Sequence, residues 1–404
     1  MNGYAGPPAH PAVVVLGGRP DVVARAGELG VPVVLVHREN GYPSWVPALC
    51  ERVAHADLAD DPALERIVEE TVKRRPVCRV LSLTEDGLLP AARLNDRLRL
   101  GGNSLLAVSR FKDKRLMRER LDECGLSPVR HREVSDVREA VRFAEESGGP
   151  AVLKPADGAG SQGVRVLDDP GEVAAQWPAF RAECPGPVLV EERLEGTEIS
   201  VETLSARGRH VVLAMTEKVL VNDVVEVGLM LPARLSAELR AEAAGLTVAF
   251  LDAMELWEGP AHTELMLTAH GPRIIESQNR IGGSRLSELV RAATGVDMTR
   301  HAVTIPLGIE GLPSVPEARG GAAMRHVLPA PGRVVAIDVA PELMADPHVD
   351  LRMEIRVGDL VPPLRSGYDR VAGQIVATGA DAVEAAARCE RALRDVRVTT
   401  VPPT

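Results

Sequence analysis

The stretch "GPRIIESQNRIGG", residues 271–283, decides how this chain is read. Arg273-Ile274-Ile275 has the texture of a buried strand, yet Glu276, Gln278, Asn279 and Arg280 follow at once and two glycines close the run. Just upstream, "HTELML" (262–267) alternates as a half-buried strand does, and it carries Glu264. Joined by "TAHGPR", the two runs read as an antiparallel pair that sets Glu264 and Glu276 side by side over one cleft. Bare carboxylates so close repel, and one is driven to keep its proton. A hard divalent cation removes that conflict, because magnesium takes oxygen ligands and keeps phosphate and water in its shell. Gln278 or Asn279 adds an amide oxygen, and Arg280 adds a planar fork for a phosphoryl group. Gly282-Gly283 lets the amides of a following helix face an anion. The competing reading is a polar turn held by structural salt bridges.

Two further constellations lie upstream. In "AVLKPADGAGSQGVRVLDD" (151–169), Gly158, Gly160 and Gly163 form a G-x-G-x-x-G around Ser161. A dinucleotide fingerprint must open a helix, and here "VRVL" follows as a strand, so that reading fails. A Gly-rich hairpin instead lets main-chain amides close over a polyphosphate, with Lys154 supplying a point charge. In "VEERLEGTEISVE" (190–202), a strand bearing Glu191 and Glu192 breaks at a short connector around Leu194 and resumes at Glu198. Main-chain groups of such a connector offer adenine its donor and acceptor, and a carboxylate such as Glu198 suits ribose hydroxyls. Taken singly, each stretch also reads as a charged hairpin with a solvated face.

The rest of the chain bounds these readings. With 404 residues, two to four structural units are expected. A net charge of −10 disfavours nucleic acid and anionic membrane as partners. Five scattered cysteines without a C-x-x-C pair argue against a disulfide framework or a thiolate metal site, and fit a reducing, cytoplasmic location. No apolar run approaches the ~20 residues of a membrane span. "MNGYAGPPAHP" lacks the regions of a signal peptide. Residues 1–10 are expected to be a disordered tail. Strands alternating with helices over 11–105 imply a Rossmann-like, doubly wound unit, with ligands expected near Gly17-Gly18, Asn40 and Thr84-Glu85-Asp86. A linker helix over 106–127 has Ser109 as cap and Phe111, Met117, Leu121 and Cys124 near one face. Ser135 is expected to cap the next helix. An α+β unit over 128–205, a catalytic unit over 206–310 and a small α+β unit over 311–404 complete the α/β and α+β multidomain plan.

In this order, "VLKP", "EERLEGTEISVE" and "HTEL…IIESQNRIGG" resemble the ATP-grasp superfamily, specifically its carboxylate–amine ligases such as L-amino-acid (dipeptide) ligases. The resemblance covers roughly 12–385. It implies an ATP-grasp fold, in which 128–205 is a mobile lid and 311–404 a small closing domain. It implies ATP with Mg2+, or Mn2+ as a substitute, as cofactors. Lys114 and Lys154 would touch phosphates beside the loop of Gly158, Gly160, Ser161 and Gly163. Glu191, Glu192 and Leu194 would form the adenine hinge, with Glu198 on ribose. Glu264, Glu276 and Gln278 would hold metal, Gln278 standing where the family's E-x-N-x-R pattern has asparagine, and Arg280 would serve catalysis. "MTEKVLVNDVVEVGLMLPARL" is similar to a segment of amino-acid ligases, in which Lys218 would approach phosphate or carboxylate and Glu226 an ammonium. His262 reads as a satisfied structural histidine. The implied reaction joins a small-molecule carboxylate to an amine through an acyl phosphate, releasing ADP and phosphate. Similar enzymes commonly form homodimers. The alternatives are a purine-biosynthetic or carboxylating ATP-grasp enzyme and a non-catalytic nucleotide-binding protein. An NAD-dependent dehydrogenase lacks its fingerprint.

Overall fold

A computed structural model of the chain describes residues 11–39, 41–221, 225–364, 366, 369 and 372–402. The expected tail, 1–10, and Asn40 lie outside them. The first unit contains β1 (Ala12–Leu16), α1 (Pro20–Glu28), β2 (Val33–His37), β3 (Arg52–His55), α2 (Asp61–Arg74), β4 (Val77–Leu81) and α3 (Leu88–Leu98). Its strands pair in parallel in the order β3-β2-β1-β4, as the alternation of apolar runs and helices requires. Gly17, at the end of β1, has φ 80° and leaves no room for a Cβ, which would meet the Thr84 hydroxyl.

Two helices follow, α4 (Leu105–Lys112) and α5 (Lys114–Glu123), where the sequence reads as one. The break falls at Asp113, whose carboxylate accepts from the Arg115 amide and starts a second helix. Ser109 is not a cap; its hydroxyl donates to the Leu105 carbonyl inside α4, and Ser104 is the cap. Phe111, Met117 and Leu121 are buried as expected, whereas Cys124 is exposed.

The four-stranded antiparallel sheet β5-β8-β6-β7 comes next, from β5 (His131–Val134), α6 (Val137–Ser147), β6 (Ala151–Pro155), β7 (Arg165–Leu167), α7 (Pro170–Glu183) and β8 (Val188–Glu192). Asp136, not Ser135, caps α6; Glu139 returns to the Ser135 amide and hydroxyl.

The largest sheet draws on β9 (Thr197–Ala206), β10 (Arg209–Val221), β11 (Val225–Leu231), β12 (Glu258–Thr268) and β13 (Gly271–Gln278), with helices α8 (Ala237–Ala253), α9 (Leu286–Thr294) and α10 (Met298–Thr304) packed on it. The tail supplies β14 (Gly321–His326), β15 (Gly332–Val339), α11 (Pro341–Ala345), β16 (Val349–Met353), β17 (Leu360–Val361), β18 (Gly373–Gly379), α12 (Ala382–Arg394) and β19 (Val396–Val401). Among the described residues eight strands pair in the order β13-β12-β9-β10-β11-β14-β18-β16, so three tail strands extend the large sheet, and β17-β15-β19 form a separate one. Because β9 belongs to the large sheet, the lid's own sheet ends at Glu192. We propose drawing the lid at 128–196 instead of 128–205. One face of the large sheet is packed by α4, α5 and α8 through Phe111, Met117, Phe250, Ile199, Leu265 and Ile274. Phe111 and Phe250 meet edge to face at 5.8 Å.

Candidate active site

Between the lid and the other face of β9–β13 lies a cleft of about 480 Å³. Among its walls are Lys114, Lys154, Gly158, Gly160, Ser161, Leu194, Glu198, Lys218, Glu226, Glu264, Glu276, Gln278 and Arg280, so residues from all three sequence constellations converge there.

Glu264 and Glu276 are directly paired across β12 and β13. They reach the same face through an irregularity that the sequence does not announce. Glu264 pairs with Glu276, but the next residue, Leu265, pairs with Ile274, leaving Ile275 as the extra residue of a bulge. Ile274 is in the core while Ile275 and Glu276 both border the cleft. Under strict alternation Ile274 and Glu276, two apart, would share a face.

Each carboxylate is matched by a lysine. Lys218 Nζ lies 2.7 Å from Glu264 and 2.6 Å from Glu198; Lys114 Nζ lies 2.9 Å from Glu276 and donates to the Gly158 carbonyl at 2.7 Å. Lys114 enters because it opens α5, where its own amide donates to the Ala156 carbonyl. Burial works against the charged form of both lysines, yet the facing carboxylates win and hold both pKa values up. Burial also opposes ionisation of Glu264, and Lys218 and His262 overcome it, holding the group well below the usual carboxylate range. Glu198 shares its lysine with Glu264, and burial pushes its pKa up. His262 is indeed a satisfied histidine, 2.7 Å from buried Glu202 and 3.1 Å from Glu264. Burial would lower its pKa, but Glu202 and then Glu264 push it up to about 10.

Gln278 lies on the cleft face and donates its amide N–H to Glu276 at 2.7 Å. Asn279 faces away, toward a separate cavity of about 70 Å³ beside Gly17 and Arg79. That split follows strand alternation and favours Gln278 over Asn279 as the amide at the cleft. Arg280 Nε donates to Glu85 of the first unit, which also pairs with Lys112, and Nη1 donates to the Ile281 carbonyl at 2.8 Å. Of the expected strand-end positions among the described residues, Glu85 reaches a cleft residue.

Lys154 is deeply buried and donates to Glu191 at 2.6 Å. Burial lowers the Lys154 pKa. The Glu191 carboxylate is gripped from its other side by Arg118 at 2.7 and 3.0 Å. Burial opposes its ionisation, but Arg118 and Lys154 prevail and hold its pKa at about 2. The Glu191 side chain therefore serves these cations, and the Glu192 carboxylate turns to Arg130 at 3.0 Å. What the connector around Leu194 offers a base is its main chain. Gly160, Ser161 and Gly163 all take positive φ (63°, 59° and 73°), the geometry that turns amides out of a loop, and a Cβ on Gly163 would strike the Cys184 sulfur.

Sequence reasoning missed Arg118 and Glu202. A signal existed for both: Arg118 follows Lys114 by one helical repeat, and Glu202 lies on the strand face of Glu198. Among the described residues no group of three or more His, Cys, Asp or Glu is placed to hold a metal by itself. Two carboxylates and an amide suit magnesium, which is ordinarily bound by one or two carboxylates plus substrate phosphates.

Comparison with known proteins gives domain matches along the chain. Family models for an ATP-grasp N-terminal domain, an ATP-grasp domain and an L-amino acid ligase C-terminal domain 2 match residues 23–102, 147–288 and 325–401. Carnosine synthase 1 of Gallus gallus is 30% identical over 286 residues, 64% of this chain and 30% of its own length. Alanine–anticapsin ligase of Bacillus subtilis (strain 168) is 24% identical over 263 residues, 58% of this chain and 56% of its own. The chain thus spans about half or less of these two relatives. The crystal structure of L-amino acid ligase from Bacillus licheniformis superposes with a TM-score of 0.84 at 22% identity, covering 97% of this chain and 99% of that one, which shows a shared fold. With the three domain matches in chain order, this chain carries an ATP-grasp N-terminal domain and an ATP-grasp domain and has the ATP-grasp fold.

Proposed function

We propose that the chain is an ATP-dependent, ADP-forming carboxylate–amine ligase that takes an amino acid as one substrate. The observation that carries this reading is the paired Glu264 and Glu276 at the phosphate end of the cleft, flanked by Lys114, Lys218 and Arg280. The relatives' names, alanine–anticapsin ligase and L-amino acid ligase, support an amino-acid substrate.

In this reading adenine lies against the main chain of 192–194, ribose near Glu198, and phosphates under the 158–163 loop, beside Lys154 and Lys114. Glu264, Glu276 and the Gln278 amide would hold magnesium or manganese. The metal would neutralise charge between the β- and γ-phosphates, a contribution of several kcal/mol. A substrate carboxylate oxygen attacks the γ-phosphorus, the bond to the β-phosphate oxygen breaks, and ADP departs. The acyl phosphate is then attacked by an amine nitrogen; the C–O bond breaks, phosphate leaves with its electron pair, and the nitrogen gives up a proton. Arg280, fixed on two sides, presents its remaining N–H edge to the transferred group or to the oxyanion of the addition step. Lys218 approaches the phosphate or substrate carboxylate, and Glu226 is placed to receive an ammonium. The lid excludes water, to which an acyl phosphate is labile. Assembly as a homodimer belongs to the same proposal. Among the described residues no helix is long and apolar enough to cross a membrane.

The test is a screen of amino-acid pairs for ADP release. ADP and phosphate formed in equal amounts, only when a carboxylate and an amine are both present, is the expected result. Release driven by bicarbonate alone would point to a carboxylating enzyme, and nucleotide binding without release under any pair would point to a binder.

A further inference from the structure

The bulge that turns Glu276 into the cleft lies on an edge strand, since β13 has a neighbour on one side only. Edge carbonyls at a bulge lack ladder partners, and a bulge left so can slip by one residue, which exchanges the two faces. Here both carbonyls are capped by one side chain. Arg118 Nη1 donates to the Ile274 carbonyl at 2.8 Å and Nη2 to the Ile275 carbonyl at 3.2 Å. The same guanidinium grips Glu191 through Nε and Nη2, and Glu191 holds Lys154. Beside it, the Ile274 amide donates to the Ser127 hydroxyl oxygen at 2.7 Å. Arg118 is 1% exposed at the wall of the cleft, and its guanidinium is taken up by this clamp. Four of its five N–H groups are engaged, across elements as far apart in sequence as α5, the lid and β13.

We propose that Arg118, assisted by Ser127, is a positioning residue that locks the bulge at Ile275, holds Glu276 opposite Glu264 for a metal–nucleotide, and ties that carboxylate to the lid lysine. The proposal rests on the ligase reading for what the cleft holds. Its chemistry is specific to a fork: a lysine keeps the charge but cannot span two carbonyls and a carboxylate at once.

The test measures ADP binding by calorimetry with and without Mg2+, in the full chain and without turnover. Removing an outer partner of a metal ligand typically weakens metal affinity by ~10- to 100-fold. Arg118→Met leaves Glu191 and Lys154 as a neutral pair, and is expected to cut the Mg2+-dependent gain in ADP affinity by about 10-fold or more. Arg118→Lys should fall with it. A merely structural arginine would lower the melting temperature in both variants and leave the Mg2+ dependence as in the parent; that result overturns the proposal. Should both variants fail to fold, Ser127→Ala carries the test, with a smaller loss of the same Mg2+ dependence expected and an unchanged one overturning it. A parent chain that binds Mg2+ and ADP but forms no amide would remove the ligase reading and leave the clamp standing.

Discussion

Glu276→Gln is expected to lower metal-dependent turnover by ~10²-fold or more while the chain stays folded. Glutamine keeps the shape of the side chain, the pairing with Glu264 and the bulge beneath it. It removes one negative charge, which leaves Lys114 facing a neutral amide in place of a carboxylate 2.9 Å away. Lys114 still has the Gly158 carbonyl, so the helix start at α5 and its link to the lid persist. The loss should therefore appear in the metal requirement and in kcat, with metal-free ADP affinity little changed. Near-normal turnover of the variant at saturating Mg2+, measured as ADP release, would refute the ligand role.

The second large effect is expected at Arg280. Its guanidinium is fixed through Nε on Glu85 and through Nη1 on the Ile281 carbonyl, so its orientation is set before any substrate arrives. Preorganised donors of this kind are worth ~10²–10³ in kcat when they face charge that develops in the transition state. Arg280→Lys keeps a cation but cannot hold Glu85 and the Ile281 carbonyl at once while facing the transferred group. We expect kcat and kcat/KM to fall together by ~10²-fold or more, with the KM for ATP little changed, which is the signature of an interaction made in the transition state. A raised KM at unchanged kcat would instead make Arg280 a ground-state contact.

Much of this site was legible in the sequence because it sits on local patterns. The two strands around residue 270, the glycine hairpin after Lys154 and the connector after Glu192 each announce themselves by alternation or by glycine. What remained hidden depends on partners far along the chain. Alternation predicts that Glu276 shares a face with Ile274; it is the bulge that separates them, and its clamp is an arginine 156 residues upstream. The inward turn of Glu191 depends on Arg118, 73 residues away. The helix break at Asp113 was visible as a capping residue but was outweighed by a continuous run of good helix formers on either side. Likewise the tail strands β14, β18 and β16 read as a separate domain because the pairing that joins them to the large sheet, β14 on β11, is non-local. The glutamine in the E-x-N-x-R position was visible at once, and its placement on the cleft face, one residue before an asparagine turned to the other cavity, follows from the period of two.

The central claim is that Glu264 and Glu276, brought to one face by the bulge, hold a divalent metal against the phosphates of a nucleotide. Anomalous diffraction from crystals grown with Mn2+ and ADP tests it most directly. The account predicts a manganese peak between the two carboxylates with the ADP β-phosphate in its shell and Lys154 beside the phosphates. A peak elsewhere in the chain, with nucleotide bound in the cleft and both carboxylates still held by Lys114 and Lys218, would contradict it.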